Sequence, residues 1–133
     1  MCDKNNKKLV KRKSFKPLDW ICTSIFLNFK IYNDFTIIDS KLFFNKSETS
    51  KRGNLLLNGF KLNTLKFKII YIFEDKKNKV SLLNPTSNYL VIRVPRNCYK
   101  LIIKSSVKLN PKINTSLEGF YESNDMFCTQ CEP

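Results

Sequence analysis

The residues with the most evident chemical potential form a Cys-x-x-Cys motif near the end of the chain, at Cys128 and Cys131. Two thiols at this spacing can form a redox pair at the start of a helix, or supply half of a zinc ribbon. A redox pair of this kind accompanies a βαβ pattern, which the neighbouring sequence lacks. A four-cysteine zinc site needs a second pair, and Cys2, Cys22 and Cys98 are dispersed. We therefore predict that both thiols pack structurally at the base of a loop.

Three carboxylates in the same region, Glu118, Glu122 and Asp125, raise the hypothesis of a paired-carboxylate hydrolase. On a strand, Glu118 and Glu122 would share a face, but nothing in the sequence indicates the burial that a general acid of this kind requires. We instead expect Glu118 and Asp125 to fix the strand ends and the turn around Asn124-Asp125.

Histidine is absent from the whole sequence. Its absence excludes a Ser-His-Asp triad, a Cys-His pair and any imidazole-ligated zinc site within this chain. The cysteines number five, which is odd, and their scattered positions argue against a disulfide framework. We therefore expect no catalytic residue and no metal-ligand set within this chain.

The residues from Asn114 to Glu132 match every fixed position of the pattern N-T-x-L-E-G-x-Y-x-S-x-D-x-x-C-T-Q-C-E. This pattern resembles the N-terminal domain of the bacterial aminopeptidase N family, zinc-dependent peptidases that remove residues from peptide N-termini. Thr129 to Pro133 also fits the T-Q-x-E-P ending of more distant members. The resemblance is firm over this final stretch and looser from Phe15 onward, where Leu55 to Gly59 is similar to a family segment that precedes a hairpin.

The resemblance implies roles for two residues. An exopeptidase must recognise the free α-ammonium group of its substrate, and a fixed carboxylate does so through hydrogen bonds worth roughly 1.5–3 kcal/mol each. By motif position Glu132 binds this ammonium, and Gln130 lines the pocket for the first substrate side chain. The alternative is that both are solvated side chains. The family's H-E-x-x-H and G-A-M-E-N motifs do not occur here, so we expect zinc in the full-length family and no cofactor bound by this chain.

Alternating apolar and polar residues run through most of the chain, which is typical of strands. The alternation marks Ile25 to Tyr32, Phe35 to Phe44, Leu62 to Phe73, Tyr89 to Val94 and, most clearly, Tyr99 to Leu109. Turn residues separate these segments, including a charged turn at Glu74 to Lys79. We predict an all-β sandwich or saddle-shaped sheet pair of about seven strands, without a helix.

We expect two parts, a flexible basic arm at residues 1–16 and a partial N-terminal β domain at residues 17–133 that is incomplete at its C-terminal end. The longest apolar run, Trp20 to Phe29, contains polar residues and is too short to span a bilayer. Basic residues precede this run, but no small-residue cleavage site follows. We therefore expect a cytoplasmic protein with no membrane partner.

The resulting hypothesis is the N-terminal, substrate-recognising part of an aminopeptidase N-like zinc metallopeptidase, from a truncated, split or frameshifted reading frame. Such a chain is expected to be inactive alone, and to meet peptide N-termini only when a catalytic domain or a complementing polypeptide completes it. A decayed product without a selected function is another alternative.

The net charge of +13 raises a hypothesis of a different class, a small basic β module that binds nucleic acid or acidic surfaces. Aromatic residues such as Phe26, Tyr32 and Phe67 would then stack on bases. However, most of the 24 basic residues are Lys, whereas Arg supplies the fork that phosphate and base recognition favour. Lys also accompanies abundant Asn, Ile and Phe, a bias typical of an A- and T-rich genome. We therefore expect a drifted Lys-rich surface and no nucleic-acid partner.

Overall fold

The computed structural model describes residues 12–15, 17–48, 53–59, 62–85 and 88–131. Nine β-strands and no α-helix occur in this described part. The strands are β1 (Trp20–Ile31), β2 (Thr36–Lys46), β3 (Leu55–Asn58), β4 (Asn63–Phe73), β5 (Asn78–Leu83), β6 (Tyr89–Ile92), β7 (Cys98–Leu109), β8 (Gly119–Ser123) and β9 (Met126–Gln130). Short 3-10 turns lie at Arg12–Ser14 and Pro111–Ile113. The predicted all-β fold class is confirmed.

The main layer is a five-stranded antiparallel sheet with the strand order β1-β2-β7-β4-β5. The long strand β7 lies at its centre, between two strands that precede it in the sequence. Two smaller antiparallel ladders complete the fold, β3 with β6 and β8 with β9.

One face of the five-stranded sheet carries the core. Because side chains alternate along each strand, cross-strand neighbours such as Leu42, Ile103 and Ile69 point to the same face. The β3–β6 ladder lies over this face and adds Leu55 and Ile92 to the core. The buried cluster comprises Trp20, Phe44, Leu55, Ile69, Tyr71, Ile92, Cys98, Leu101 and Ile103. Each large aliphatic side chain buried there contributes roughly 1.5–3 kcal/mol to folding.

Trp20 closes one end of this core. Its indole is buried, and its Nε1 donates a hydrogen bond to the carbonyl oxygen of Gly53 at 2.9 Å. The backbone of Gly53 approaches Asp19 so closely that a Cβ atom at position 53 would overlap the Asp19 side chain. The Asp19 carbonyl in turn accepts a hydrogen bond from the Ser47 N–H at 2.8 Å. These contacts tie the start of β1 to the end of β2 and to the segment before β3.

The strand boundaries correct the sequence-based predictions in two places. β1 begins at Trp20, well before the alternation that starts at Ile25. The alternation does not reveal the first residues of the strand because a β-bulge between Cys22 and Ser24 interrupts it. The turn predicted over Glu74 to Lys79 is too long, since β5 already begins at Asn78 and pairs with β4. β5 is largely exposed and begins with polar residues, so its sequence carries a weak strand signal.

The first strand lies at an edge of the sheet. Ile25, Leu27 and Phe29 share one face, as the alternation predicts, because they pair in register with Leu42, Ser40 and Ile38. After Trp20, however, every β1 side chain remains exposed. In the described part of the chain β1 pairs with a neighbouring strand on one side only. Its alternating pattern therefore predicts which side chains share a face of the sheet, but not whether they are buried.

The predicted arm at residues 1–16 lies mostly outside the described residues. Within it, Arg12–Ser14 forms a 3-10 turn closed by a hydrogen bond from the Phe15 N–H to the Arg12 carbonyl oxygen at 3.2 Å. No helix in the described segments has the length and hydropathy needed to cross a membrane.

Candidate functional site

The pattern from Asn114 to Glu132 folds mainly into a β-hairpin formed by β8 and β9. At its open end Gly119 pairs with Gln130. At its closed end the turn consists of Asn124 and Asp125, whose φ angles are 49° and 61°. Two successive left-handed residues are typical of the type I′ turn, which matches the twist of paired strands, and Asn and Asp tolerate this conformation. The turn predicted at this position is confirmed.

Asn114 fixes the segment that leads into the hairpin. Its Nδ2 donates hydrogen bonds to the carbonyl oxygens of Glu118 at 2.8 Å and Phe120 at 3.0 Å. Its Oδ1 accepts hydrogen bonds from Ser116, at 3.2 Å from the backbone N–H and 2.6 Å from Oγ. Gly119 follows with a φ of 73°, a conformation that favours glycine. The Asn and Gly of the pattern therefore have local structural roles.

Glu118 takes part in this segment through its backbone. Its N–H donates to Ser116 Oγ at 3.3 Å, and its carbonyl accepts from Asn114, while the residue as a whole is exposed. The expectation that Glu118 helps to fix a strand end is therefore confirmed for its main chain. Asp125 fixes the turn through its left-handed backbone.

Phe120 connects the hairpin to the main sheet. Its ring centroid lies 5.4 Å from that of Phe29 on β1 and 5.6 Å from that of Phe127 on β9. Aromatic pairs in this distance range contribute about 0.5–1.5 kcal/mol beyond the area that they bury. The three rings hold the hairpin against the edge of the five-stranded sheet.

Gln130, the predicted side-chain pocket residue, is the exposed last residue of β9. The loop predicted from Cys128 to Glu132 is therefore wrong for Cys128, Thr129 and Gln130, which belong to a strand. The reason is that the tight turn brings β9 back alongside β8, and the ladder extends as far as Gly119. Glu132, the predicted ammonium ligand, lies outside the described residues.

The two thiols of the Cys-x-x-Cys motif have different surroundings. Cys128 is half-buried, and its Sγ lies 3.9 Å from the carbonyl oxygen of Met126. Cys131 is exposed. The prediction that both thiols pack at the base of a loop is therefore wrong, because Cys128 lies on β9 and Cys131 is exposed. Cys98, by contrast, belongs to the core, and burial raises the pKa of its thiol, which keeps it protonated and unreactive at neutral pH.

A shallow cavity of about 290 Å³ adjoins the hairpin turn. Its lining consists of Ile31, Tyr32, Asn33, Lys112, Glu122, Asp125 and Phe127. The carboxylates of Glu122 and Asp125 thus meet apolar side chains and one ammonium at this cavity. Gln130 does not line it. No sequence signal could have identified this grouping, because the end of β1 and the hairpin turn meet only in the folded chain.

The donor set of the described residues does not fit a zinc ion. They contain no group of three or more His, Cys, Asp or Glu side chains able to hold a metal, and the whole sequence lacks His. No catalytic step through zinc is therefore assigned to the described residues.

Comparison with known proteins identifies distant relatives. No protein-family model matches the chain. Aminopeptidase N of Haemophilus influenzae is 27% identical over 123 residues, a match that covers 91% of this chain and 13% of that protein. The crystal structure of Legionella pneumophila aminopeptidase A in complex with aspartic acid has a similar fold, with a TM-score of 0.61 and 20% identity, over 84% of this chain and 13% of that one. The chain is thus distantly homologous to aminopeptidase N over most of its length, as its final residues predict.

Proposed function

We propose that this chain is the substrate-recognising N-terminal part of an aminopeptidase N-like zinc metallopeptidase that removes N-terminal amino acids from peptides in the cytoplasm. The observation that carries the proposal is the distant homology to aminopeptidase N, which extends over 91% of this chain. The chain spans 13% of the length of that relative. Peptide hydrolysis therefore belongs to a larger assembly than the described residues.

Within that assembly, Glu132 accepts hydrogen bonds from the α-ammonium group of the peptide, and Gln130 contacts the first substrate side chain. The exposed position of Gln130 at the open end of the hairpin supports this role, since a pocket residue must be accessible to substrate. A carboxylate that binds the ammonium also restricts cleavage to the first peptide bond, because internal bonds carry no such charge.

A second polypeptide segment must supply the zinc site and the general base, since the donor set here does not fit zinc. Apolar side chains around the hairpin support contact with such a segment. Ile113 is 75% exposed, Met126 63% and Leu117 54%. These residues lie in or beside the β8–β9 hairpin, where a second segment would cover them. Alone, the chain does not hydrolyse peptides.

A hybrid protein tests the proposal. This chain replaces the segment of Haemophilus influenzae aminopeptidase N that it matches. Hydrolysis of aminoacyl-p-nitroanilides is then measured with and without a chelator. We expect chelator-sensitive turnover from the hybrid and none from this chain alone. A hybrid that folds and retains bound zinc, yet has no activity, contradicts the proposal.

Point variants of the hybrid test the two residues. Glu132→Gln removes a charge-assisted acceptor, so kcat/KM is expected to fall about tenfold to 150-fold. Gln130→Ala is expected to change the preference among first residues. Glu118→Gln is the matched control, because the contacts of Glu118 are made by its backbone. Equal losses in Glu118→Gln and Glu132→Gln would contradict an ammonium-binding role.

A further inference from the structure

The second face of the five-stranded sheet, opposite the core, carries a row of lysines on three neighbouring strands. Lys41 of β2 pairs with Lys104 of β7, and Lys104 pairs with Lys68 of β4. These residues alternate with core residues such as Leu42 and Ile103, so their side chains leave the opposite face. We call this surface the outer face. In the described part of the chain the five strands of this sheet pair with one another and with no strand of the two smaller ladders.

Further lysines surround this row. By strand register, Lys30, Lys66, Lys100 and Lys108 also belong to the outer face. The five strands contain one carboxylate, Asp39, which already binds Lys30 at 2.7 Å. The outer face therefore concentrates positive charge, with one carboxylate to neutralise it.

This arrangement has an energetic cost in the free protein. Side chains directly opposite each other on neighbouring strands have Cβ atoms about 4.5–5.5 Å apart, and like charges at such positions destabilise a sheet. Lys41, Lys104 and Lys68 make two such pairs in succession. A ligand with regularly spaced negative charges would relieve the repulsion in both pairs. The charge pattern is thus complementary to an extended polyanion.

Aromatic side chains lie among the lysines. Phe26 is 61% exposed, and its ring contacts that of Phe43 edge-on at a centroid distance of 5.8 Å. The Lys41 Nζ lies 4.8 Å from the centre of the Phe43 ring. Phe43 is half-buried, so Phe26, which pairs with Lys41 across the strands, is the exposed ring of this group. An exposed ring beside a cation is the combination that binds the bases and phosphates of single strands. A membrane or an acidic peptide would engage the charge but has no planar bases to stack on these rings.

We propose that the outer face binds single-stranded nucleic acid without sequence preference, with lysines contacting phosphates and Phe26 stacking on a base. The predominance of Lys over Arg agrees with this, since ammonium groups attract phosphates as point charges and supply no bidentate base readout. Composition alone led to the expectation of a drifted surface without a nucleic-acid partner. The strand register now aligns Lys41, Lys104 and Lys68, which composition could not indicate. The proposal does not depend on peptidase function.

Binding of a fluorescein-labelled oligo-dT of about 20 nucleotides to the full chain, followed by anisotropy at several salt concentrations, tests the proposal. For single strands the logarithm of the binding constant falls with the logarithm of salt with a slope of about −0.7 per phosphate contact. The variant Lys41→Gln/Lys68→Gln/Lys104→Gln is expected to bind at least tenfold more weakly at low salt, with a slope less steep by about 2.

The matched control is Lys76→Gln/Lys79→Gln/Lys112→Gln, which lowers the net charge by the same amount with exposed lysines away from the outer face. It is expected to retain the wild-type slope. Equal effects of the two triple variants would show a response to net charge only, and would overturn the proposal. Loss of binding on deletion of residues 1–16, with no effect of the outer-face variant, would assign binding to the arm and also overturn it.

Two further measurements complete the test. One distinguishes base stacking from charge attraction, and the other distinguishes nucleic acid from a lipid surface. Phe26→Ala is expected to weaken binding about tenfold at an unchanged salt slope, whereas Phe26→Tyr retains it. Phe26 is exposed, so the fold should persist, which circular dichroism checks. Vesicles of phosphatidylserine and phosphatidylcholine provide the comparison. Outer-face-dependent binding to vesicles, without binding to the oligonucleotide, would overturn the proposal in favour of a membrane surface.

Discussion

At the scale of single residues, Thr36 is a buried polar side chain without a hydrogen-bond partner among the described residues. It is fully buried at the start of β2, and its Oγ1 makes no hydrogen bond with the described residues. An unsatisfied buried hydroxyl costs roughly 1–3 kcal/mol relative to a satisfied one, while an apolar group of the same shape removes that cost.

Thr36→Val is therefore expected to increase the free energy of unfolding by about 1 kcal/mol, because valine keeps the branched shape and removes the hydroxyl. Urea denaturation, followed by the fluorescence of the single tryptophan, Trp20, measures the change. Thr64→Val, at a half-buried position on the same sheet face, is the control and should have a smaller effect. A destabilised Thr36→Val protein would mean that the hydroxyl has a partner in solution.

The ion pair between Lys30 and Asp39 sets the pKa of both groups. The hydrogen bond from the Lys30 ammonium, followed by one from Ser106, holds the pKa of Asp39 below its ordinary value of 3.8. The same contact raises the pKa of Lys30 above 10.5. At low pH the contribution of this pair to stability is lost as the pH falls below about 3.8, through the lowered pKa of Asp39. At high pH it is lost as the pH rises above about 10.5, through the raised pKa of Lys30. Solvent exposure keeps this contribution small.

Lys30→Gln is expected to return the pKa of Asp39 towards its ordinary value, because the largest cause of the shift is removed. Carboxyl-carbon NMR titration of the wild-type and variant proteins measures this pKa. Lys66→Gln is the control, because Lys66 makes only the smallest contribution to the lowered pKa. If Lys30→Gln leaves the pKa unchanged, the ion pair is absent in solution.

At the scale of elements, two glycines are required for different reasons. Gly53 allows its segment to pass close to Asp19 and to accept the indole hydrogen bond of Trp20. Gly119 has open space around its Cα, but its φ of 73° disfavours any residue with a Cβ.

Gly53→Ala is expected to destabilise the chain by roughly 1–3 kcal/mol through steric overlap, and Gly119→Ala by roughly 1–2 kcal/mol through backbone strain. Asparagine substitutions distinguish the two causes. Asn tolerates the left-handed conformation, so Gly119→Asn should recover part of the loss, whereas Gly53→Asn should not. Thermal unfolding measures all four variants, and recovery at position 53 would contradict a steric origin.

At the scale of the whole molecule, positive charge dominates. The formal net charge is +13, while the described residues form two ion pairs, both with solvent-exposed side chains, Lys30–Asp39 and Lys77–Asp75. Repulsion between the lysines of the outer face should therefore outweigh the attraction within these ion pairs. Salt should then stabilise the fold, because it screens the repulsion.

Raising NaCl from about 0.02 M to about 0.3 M is expected to increase the free energy of unfolding on the order of 1 kcal/mol. Urea denaturation measures this, since urea adds no ionic strength. The variant Lys41→Gln/Lys68→Gln/Lys104→Gln should be more stable than wild type at low salt and respond less to added salt. Salt-induced destabilisation would instead indicate that ion pairs dominate.

Several features of the fold could be predicted from the sequence because they depend on neighbouring residues. Alternation over Tyr99 to Leu109 predicted β7 to within one residue, since side chains on a strand point to opposite faces in turn. The Asn124-Asp125 turn followed from the tolerance of these residues for left-handed backbone. β9 was predicted as a loop because its strand conformation depends on pairing with β8.

Residue types along the chain are sufficient to indicate the all-β class, most of the strands and the distant relation to aminopeptidase N. The strand order β1-β2-β7-β4-β5, the exposure of β1 and the alignment of Lys41, Lys104 and Lys68 are visible only in the folded chain. Register between distant strands follows from burial of the core face as a whole, which no local stretch of sequence specifies. The lysines of the outer face become neighbours as a consequence of packing on the other side of the sheet.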